Sequence, residues 1–514
     1  MYDLIIKNGI IIDGTGSPSF HADVAIKDGK IARIARNLTG SQQEIDATGL
    51  TVTPGFIDSH SHSDASLFSF PEQIEKAEQG ITTSLGGMCG DSPAPLPKGA
   101  KAVEVGSFGL STEVYKTMGT FLDTVKNVPL GSNHACFVGH SSLREAVMNR
   151  ENREPTPEEL EQMADYLRDG MEHGARGLSL GLIYTPGSFA KTDEVVYLAK
   201  IVAQYGGVVS AHIRDEGYQL VKAVEEFIDI IKASGAKGVI SHHKTMYRDN
   251  WGKIHTTLRM IDQANAEGCD IYCDVYPYIA SHTSLYARFI PKEYCAGGND
   301  ALVERLKDPA VREKIRALNI EKFGPKDDLS WGLVARCGAP GYAGLRLNEI
   351  AQKQGKDVYD VIFDIIIESR NNCGVCFFLM CEEDVETVMA HPRCMICTDS
   401  GVRGKSSYTH PRLRGSFTRT LGRYVRERKV VSLPEMIRKM TAMPASVYDL
   451  QGKGLLREGF DADICIFDAD KIIDRCDFTN CHERAEGLNY VLVGGKVTVE
   501  NAVYNGTRAG KLIY

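Results

Sequence analysis

The stretch Thr156-Pro157-Glu158-Glu159-Leu160-Glu161-Gln162-Met163-Ala164-Asp165-Tyr166-Leu167-Arg168-Asp169-Gly170-Met171-Glu172-His173-Gly174-Ala175-Arg176-Gly177-Leu178-Ser179-Leu180-Gly181 decides the fold. Thr156 is placed to cap a helix, Pro157 suits its first turn, and Glu159 completes a capping box. Leu160, Met163, Ala164, Leu167 and Met171 then recur at helical spacing. Gly174 ends the helix, and Gly177-Leu178-Ser179-Leu180 follows as a strand. The next units repeat the plan. A helix over roughly 193–205 is broken by Gly206-Gly207 and leads to Val208-Val209-Ser210-Ala211. A helix near 220–233 leads to Gly238-Val239-Ile240-Ser241, and one near 256–266 leads to a strand over 270–275. Alternation of this kind implies a parallel sheet. Candidate strands fall near 54–58, 80–86, 134–139, 175–180, 207–211, 237–241, 269–275 and 394–398. Eight such strands predict an α/β fold built as a closed (β/α)8 barrel over residues 54–451, with a doubly wound open sheet as the alternative.

Outside the barrel the pattern changes. In the first fifty residues, short apolar runs are separated by Asn8-Gly9, Asp13-Gly14 and Asp28-Gly29, which are hairpin signals. Short β-type runs return at 463–467, 490–493 and 496–499, with Gly494-Gly495 as a turn. Neither end holds enough apolar residues for a core of its own. The expectation is therefore one small β-sandwich made from 1–53 and 452–514. Residues 285–345, with a charged helical piece at 300–318, fit neither pattern and read as an inserted subdomain or lid.

Composition narrows the function classes. The 514 residues are 43% hydrophobic and 25% charged, an ordinary globular balance with room for one large domain and a smaller one. A formal net charge of −8 leaves no basic footprint for nucleic acid. The sequence shows no secretory leader and no apolar run of the roughly 18 residues that a membrane span needs. A cytoplasmic protein without membrane partners is expected. Fourteen cysteines then read mostly as buried thiols. This includes the Cys373/Cys376 and Cys394/Cys397 pairs, for which a shared zinc is the alternative reading.

Residues that carry chemistry sit where strands end. His60 and His62 follow Gly55-Phe56-Ile57-Asp58, Cys89 follows the strand at 81–86, and His212, His242 and Asp399 each end a later strand. In a (β/α)8 barrel these positions converge on one face, where active sites lie. Imidazole, thiolate and carboxylate are the ligand types zinc takes, and the spacing of His60 and His62 puts both on one side of a strand. Each residue alone has a plainer reading: a surface histidine, a buried thiol, a turn aspartate. Several of them together at the ends of separate strands favour a metal site.

These segments carry a resemblance. Pro54-Gly55-Phe56-Ile57-Asp58-Ser59-His60-Ser61-His62-Ser63-Asp64 resembles the metal-binding opening of the amidohydrolase superfamily. Gly87-Met88-Cys89-Gly90-Asp91-Ser92-Pro93-Ala94-Pro95 resembles the asparagine-cysteine-glycine loop of the D-aminoacylases, with Met88 where Asn is usual. Gly177-Leu178-Ser179-Leu180-Gly181-Leu182-Ile183-Tyr184-Thr185-Pro186-Gly187, Ala211-His212-Ile213-Arg214, Ser241-His242-His243-Lys244, Asp274-Val275-Tyr276-Pro277-Tyr278, Thr398-Asp399-Ser400 and His410-Pro411-Arg412-Leu413 are similar to further blocks of that family. The likeness spans nearly the whole chain and is weakest over 285–390.

The resemblance implies zinc-dependent hydrolysis of the amide bond of N-acyl-D-amino acids, small-molecule substrates that yield a carboxylate and a free D-amino acid. It implies one tight zinc on Cys89, His212 and His242, and a second, weaker position at His60 and His62. Asp399 would be the catalytic acid/base, taking a proton from water and returning it to the departing amine. Lys244, Tyr184, Tyr276 and Arg412 match positions that contact substrate, Arg412 as a carboxylate clamp. Ser179 stands in the fourth strand, where many superfamily members carry a carboxylated lysine, and Cys89 would supply the missing anionic ligand. His282 departs from the family pattern. His243 is expected to point away from the metal, and His140 has no metal role assigned. Arg403 and Lys405 read as a solvated loop, with a contact to acidic substrates as the alternative. Cyclic-amide opening, cleavage of D-residue dipeptides and a non-catalytic scaffold remain as alternatives. D-stereochemistry rests on the resemblance alone, and oligomeric state is not legible.

Overall fold

A computed structural model describes residues 1–99, 112–324, 328–402 and 410–514, so Arg403 and Lys405 lie outside the described residues. Its centre is a ring of eight parallel strands: Phe56–Asp58, Ile81–Gly86, Asn133–Cys136 continued by Val138–Gly139, Gly177–Gly181, Val208–His212, Lys237–Ile240, Ile271–Val275 and Cys394–Ile396. Neighbours pair in order around the ring, from Phe56 opposite Ile81 to Val275 opposite Ile396. The ring closes just past the ends of the first and eighth strands. Asp399 N donates to His60 O at 2.9 Å, and His62 N donates to Ser400 O at 3.1 Å. The barrel expected from the alternation is the observed fold.

The strands are buried on both faces, as a parallel sheet covered by helices requires. The helix Pro157–Glu172 shows how the cover is built. Thr156 accepts from Glu159 N, the Glu159 carboxylate accepts from Thr156 N, and Met163, Ala164, Leu167 and Met171 turn inward. No helix among the described residues is long and apolar enough to cross a membrane.

Both ends of the chain meet in one nine-stranded sheet. Its junction is Thr51–Pro54 from the N-terminal part, antiparallel to Ile464–Phe467 from the C-terminal part, with Val52 opposite Ile466. The sheet curls: Ile31 N donates to Phe460 O, and Ala462 N donates to Gly29 O. Ile6, Val24, Val52, Ile464 and Leu492 fill its inside. At the closing edge, Lys453 Nζ lies 2.7 Å from Asp461 and 2.5 Å from Asp463, and Lys30 also bonds Asp461.

A second unit sits between the seventh and eighth barrel strands. Cys373–Phe377 runs antiparallel between Ser281–Ser284 and Gly332–Cys337. Behind this three-stranded sheet lies a separate core that includes Leu285, Phe289, Val334, Ile362, Phe363 and Phe377. The unit therefore runs past residue 345, where the sequence reading stops, to Leu379. The reason is local: Val358–Glu368 followed by Cys373–Phe377 is a helix then a strand, the same pattern as a barrel unit. Cys373 and Cys376 belong to this unit, whereas Cys394 and Cys397 belong to the last barrel strand and its end; all four are buried thiols.

Burial raises the Asp461 carboxyl, but Lys453 and Lys30 outweigh it and hold the group at about 2. A depressed carboxylate contributes stability that is full above its unfolded value, about 3.9, and is lost as pH falls through the folded value. Asp461→Asn is thus expected to destabilise the protein by on the order of 1 kcal/mol near neutral pH, after allowance for partial exposure. The difference from the parent chain should shrink between about pH 4 and pH 2, as read by denaturant unfolding across that range.

Candidate metal centre

Five strand ends deliver the polar cluster. Cys89 comes from the loop after the second strand, His60 and His62 follow the first, His212 ends the fifth, His242 follows the sixth and Asp399 follows the eighth. Cys89 Sγ lies 3.3 Å from His60 Nε2, 3.3 Å from His242 Nε2 and 3.6 Å from His212 Nδ1. Asp399 Oδ1 lies 3.6 Å from His60 Nε2 and 3.1 Å from His62 Nε2. One donor atom from each of His60, Cys89, His242 and Asp399 falls within 4.8 Å of the others. One thiol, several imidazoles and a carboxylate at such spacing fit a zinc ion by ligand type and by reach. His60 stands as close to Cys89 as His242 does, so the geometry does not divide the histidines into a tight and a weak set. His62 stands furthest out, with a third of its side chain exposed.

The backbone is strained at this cluster. Cys89, His242 and Asp399 have positive φ values of 55°, 36° and 48°, a region that non-glycine residues rarely occupy and that recurs at functional sites. The fourth strand makes room for the Cys89 loop. A side chain at Gly181 would place its Cβ 2.1 Å from Cys89 O, and Ser179 Oγ accepts from Gly90 N at 3.1 Å. Ser179 thus holds the loop that carries the thiol.

Around the cluster lies a layer that sequence reasoning missed. Glu216 Oε1 sits 3.2 Å from His242 Nδ1, 3.4 Å from His212 Nε2 and 2.5 Å from Lys244 Nζ. It therefore backs both imidazoles with one carboxylate, the kind of outer contact that fixes ring orientation in metal sites. Asp274 accepts from His242 N at 2.6 Å and faces His60 Nδ1 at 3.9 Å. Glu216 lies four residues beyond His212, a spacing that flags it in retrospect. Asp274 lies next to the end of the seventh strand, without a spacing signal of its own.

Burial and neighbouring charges set the protonation. Burial pushes the Cys89 thiol well up, with Asp399 adding to this and Lys244 opposing. Burial also raises Asp399, but Arg412, His242, His62 and His60 outweigh it and hold the carboxylate well below its usual range. Burial drives His60 well down and, with Lys244 and His212, brings His242 to about 4. Burial, opposed by His242 N and reinforced by Asp399, leaves Asp274 at about 7. Glu216 is raised by burial, yet His212 and Lys244 hold it well below its normal value.

A cavity of about 280 Å³ opens onto the cluster, lined in part by His62, Cys89, Tyr184, His242, Asp399 and Arg412. Arg412 Nη1 donates to Asp399 Oδ2 at 2.6 Å, and Tyr184 OH bonds Thr283 Oγ1 at 3.0 Å. Lys244 and Tyr276, expected to contact substrate, do not line this cavity. Lys244 is buried between Glu216 and His242 Nδ1, where its charge compensates the carboxylate. Tyr276 is buried beneath the Arg412 guanidinium, whose centre lies 4.9 Å from its ring. His243 turns away and bonds Thr257 Oγ1, and His140 pairs with Glu194. His282 reaches the cavity wall.

Comparison with known proteins accords with this geometry. A model described as the amidohydrolase family matches residues 43–318 and 372–499. A D-aminoacylase from Alcaligenes xylosoxydans xylosoxydans is 32% identical over 100% of this chain and 97% of its own length. An N-acyl-D-glutamate deacylase from the same organism is 35% identical over 96% of this chain and 93% of its own. Among solved structures, an N-acyl-D-glutamate deacylase from Bordetella bronchiseptica, complexed with zinc and a phosphonate mimic of the tetrahedral intermediate, superposes with a TM-score of 0.85. It is 32% identical and covers 100% of this chain and 99% of its own. With a matching family model over most of its length and relatives of this identity end to end, the chain belongs to the amidohydrolase family, among the D-aminoacylases.

Proposed function

We propose that this protein hydrolyses the amide bond of N-acyl-D-amino acids, releasing a carboxylate and a free D-amino acid. The observation that carries the reading is an ionised Asp399 that lines the cavity beside the Cys89, His60 and His242 donors. The relatives named above act on N-acyl-D-amino acids, and the choice of hand is taken from them. Cys89, His212 and His242 would hold a zinc ion, with His60 and His62 offering a second position; this division is taken from the family resemblance, since His60 and His242 stand equally close to Cys89. When bound, zinc supplies Lewis-acid polarisation and lowers the pKa of water towards about 7.

The residues of the chain do the rest. Asp399 Oδ1 takes the proton of the attacking water and returns it to the leaving nitrogen. Arg412 grips Oδ2, so the other oxygen keeps its direction through both transfers. Arg412 also places a guanidinium where the α-carboxylate next to the leaving nitrogen arrives, and Tyr184 flanks the same cavity. Glu216, through His212 and His242, fixes the rings that face Cys89. We further propose residence in the cytoplasm: all fourteen cysteines are free thiols, as a reducing compartment keeps them.

Three measurements test the reading. A panel of N-acetyl-D-amino acids, their L forms, hydantoins and dipeptides should show turnover confined to the D amides; preferred opening of a hydantoin would replace this reading with a cyclic amidase. Asp399→Asn should lower kcat by about 10²–10⁴-fold while zinc content by atomic absorption stays at the parent value. Gly181→Ala should push the Cys89 loop outward and weaken zinc binding by about 10–100-fold, measured by competition with a chelating dye.

A further inference from the structure

Among the described residues, three guanidinium groups line the cavity: Arg150, Arg336 and Arg412. Two of them are already neutralised. Arg412 is bound to Asp399, and Arg150 Nε donates to Glu145 at 2.7 Å. Arg336 differs. Its Nη1 donates to the amide oxygen of Asn372 at 2.5 Å, its Nε is buried without a hydrogen-bond partner, and it forms no ion pair among the described residues. Half-buried charge beside a cavity, held by one neutral acceptor, is incompletely compensated. An arriving carboxylate supplies the missing partner with two parallel bonds.

The position is built to present it. Arg336 lies on Gly332–Cys337 opposite Gly374, which in turn faces Ser284. A Cβ at Gly374 would stand 2.9 Å from His282 Nε2 and 3.9 Å from Arg336 Nε, so the missing side chain keeps the wall open beside the guanidinium. Val334, Val375 and Phe377 on the same strands are fully buried in the separate core, which gives the wall a rigid backing. Arg412 touches Asp399 and so meets a carboxylate one carbon from the leaving nitrogen. Arg336 touches none of the ligand cluster and faces a group further out along the substrate.

We propose that Arg336 receives the side-chain carboxylate of the substrate and makes this protein selective for acidic N-acyl-D-amino acids. The inference rests on the hydrolase reading above. The test compares N-acetyl-D-glutamate with its uncharged isostere N-acetyl-D-glutamine on the zinc-loaded protein. The parent chain should favour the glutamate by at least about 30-fold in kcat/KM. Arg336→Met should collapse that ratio towards unity, and Arg336→Lys should restore part of it. Calorimetric binding of the product D-glutamate against D-glutamine should follow the same order. Turnover of the glutamine compound with no preference for glutamate, or a ratio unmoved in Arg336→Met, overturns the inference and leaves the hydrolase intact. An equal fall for both compounds in Arg336→Met assigns Arg336 to the α-carboxylate and also overturns it. Turnover of neither while other N-acetyl-D-amino acids are hydrolysed overturns this inference alone; turnover of no N-acetyl-D-amino acid at all overturns the hydrolase reading and this inference with it.

Discussion

The buried ion pair between Lys76 and Asp58 holds together the seam on which the site is built. Asp58 accepts from Lys76 Nζ at 2.8 Å, from Thr398 N at 2.8 Å and from Thr398 Oγ1 at 2.7 Å, and both charged side chains are wholly buried. Lys76 Nζ also donates to Ser400 O at 2.7 Å. One carboxylate therefore ties the end of the first strand to the end of the eighth. His60 and His62 stand on one side of that tie, and Asp399 on the other. Losing either partner would strand a charge in the interior, at a cost of about 3–5 kcal/mol. It would also loosen the one edge at which residues some 340 positions apart in sequence must meet within hydrogen-bond distance.

From this seam the polar groups are arranged in layers. Cys89, His60, His242 and Asp399 face one another with His212 beside Cys89, and Glu216, Lys244 and Asp274 stand behind them. Charge alternates through the layers: Lys244 compensates Glu216, and Arg412 compensates Asp399. The strained backbone at Cys89, His242 and Asp399 persists because strand pairing and these outer contacts over-determine it.

What could be read in advance follows from how local the signals are. The Thr156–Glu159 capping box, the glycine breaks and the apolar runs are short-range, and they located the barrel strands and the helix Pro157–Glu172. Strand-end positions then brought Cys89, His60, His212, His242 and Asp399 to one face, because barrel topology makes that convergence general. The role of Glu216 was hidden because it depends on which rings it faces after folding. Lys244 and Tyr276 are expected to contact substrate, and the neighbours that surround them, Glu216 and Arg412, approach from other strands and could not be read from local sequence. The end of the insertion was hidden for the opposite reason: its helix-then-strand signal is clear but identical to that of a barrel unit.

The three-stranded sheet over the cavity hangs between the last two barrel strands and keeps a core of its own. Recognition and reaction are therefore lodged in modules with largely separate interiors, joined where Met246 and Tyr247 from the loop after the sixth barrel strand enter the core of the overhanging sheet. Among the described residues, Arg336 on the overhanging wall contacts none of those that carry the donor cluster, so its side chain can change without repacking the strands that carry Cys89 and Asp399. A chain organised in this way can change its diet by drift in one module while the other stays under constraint.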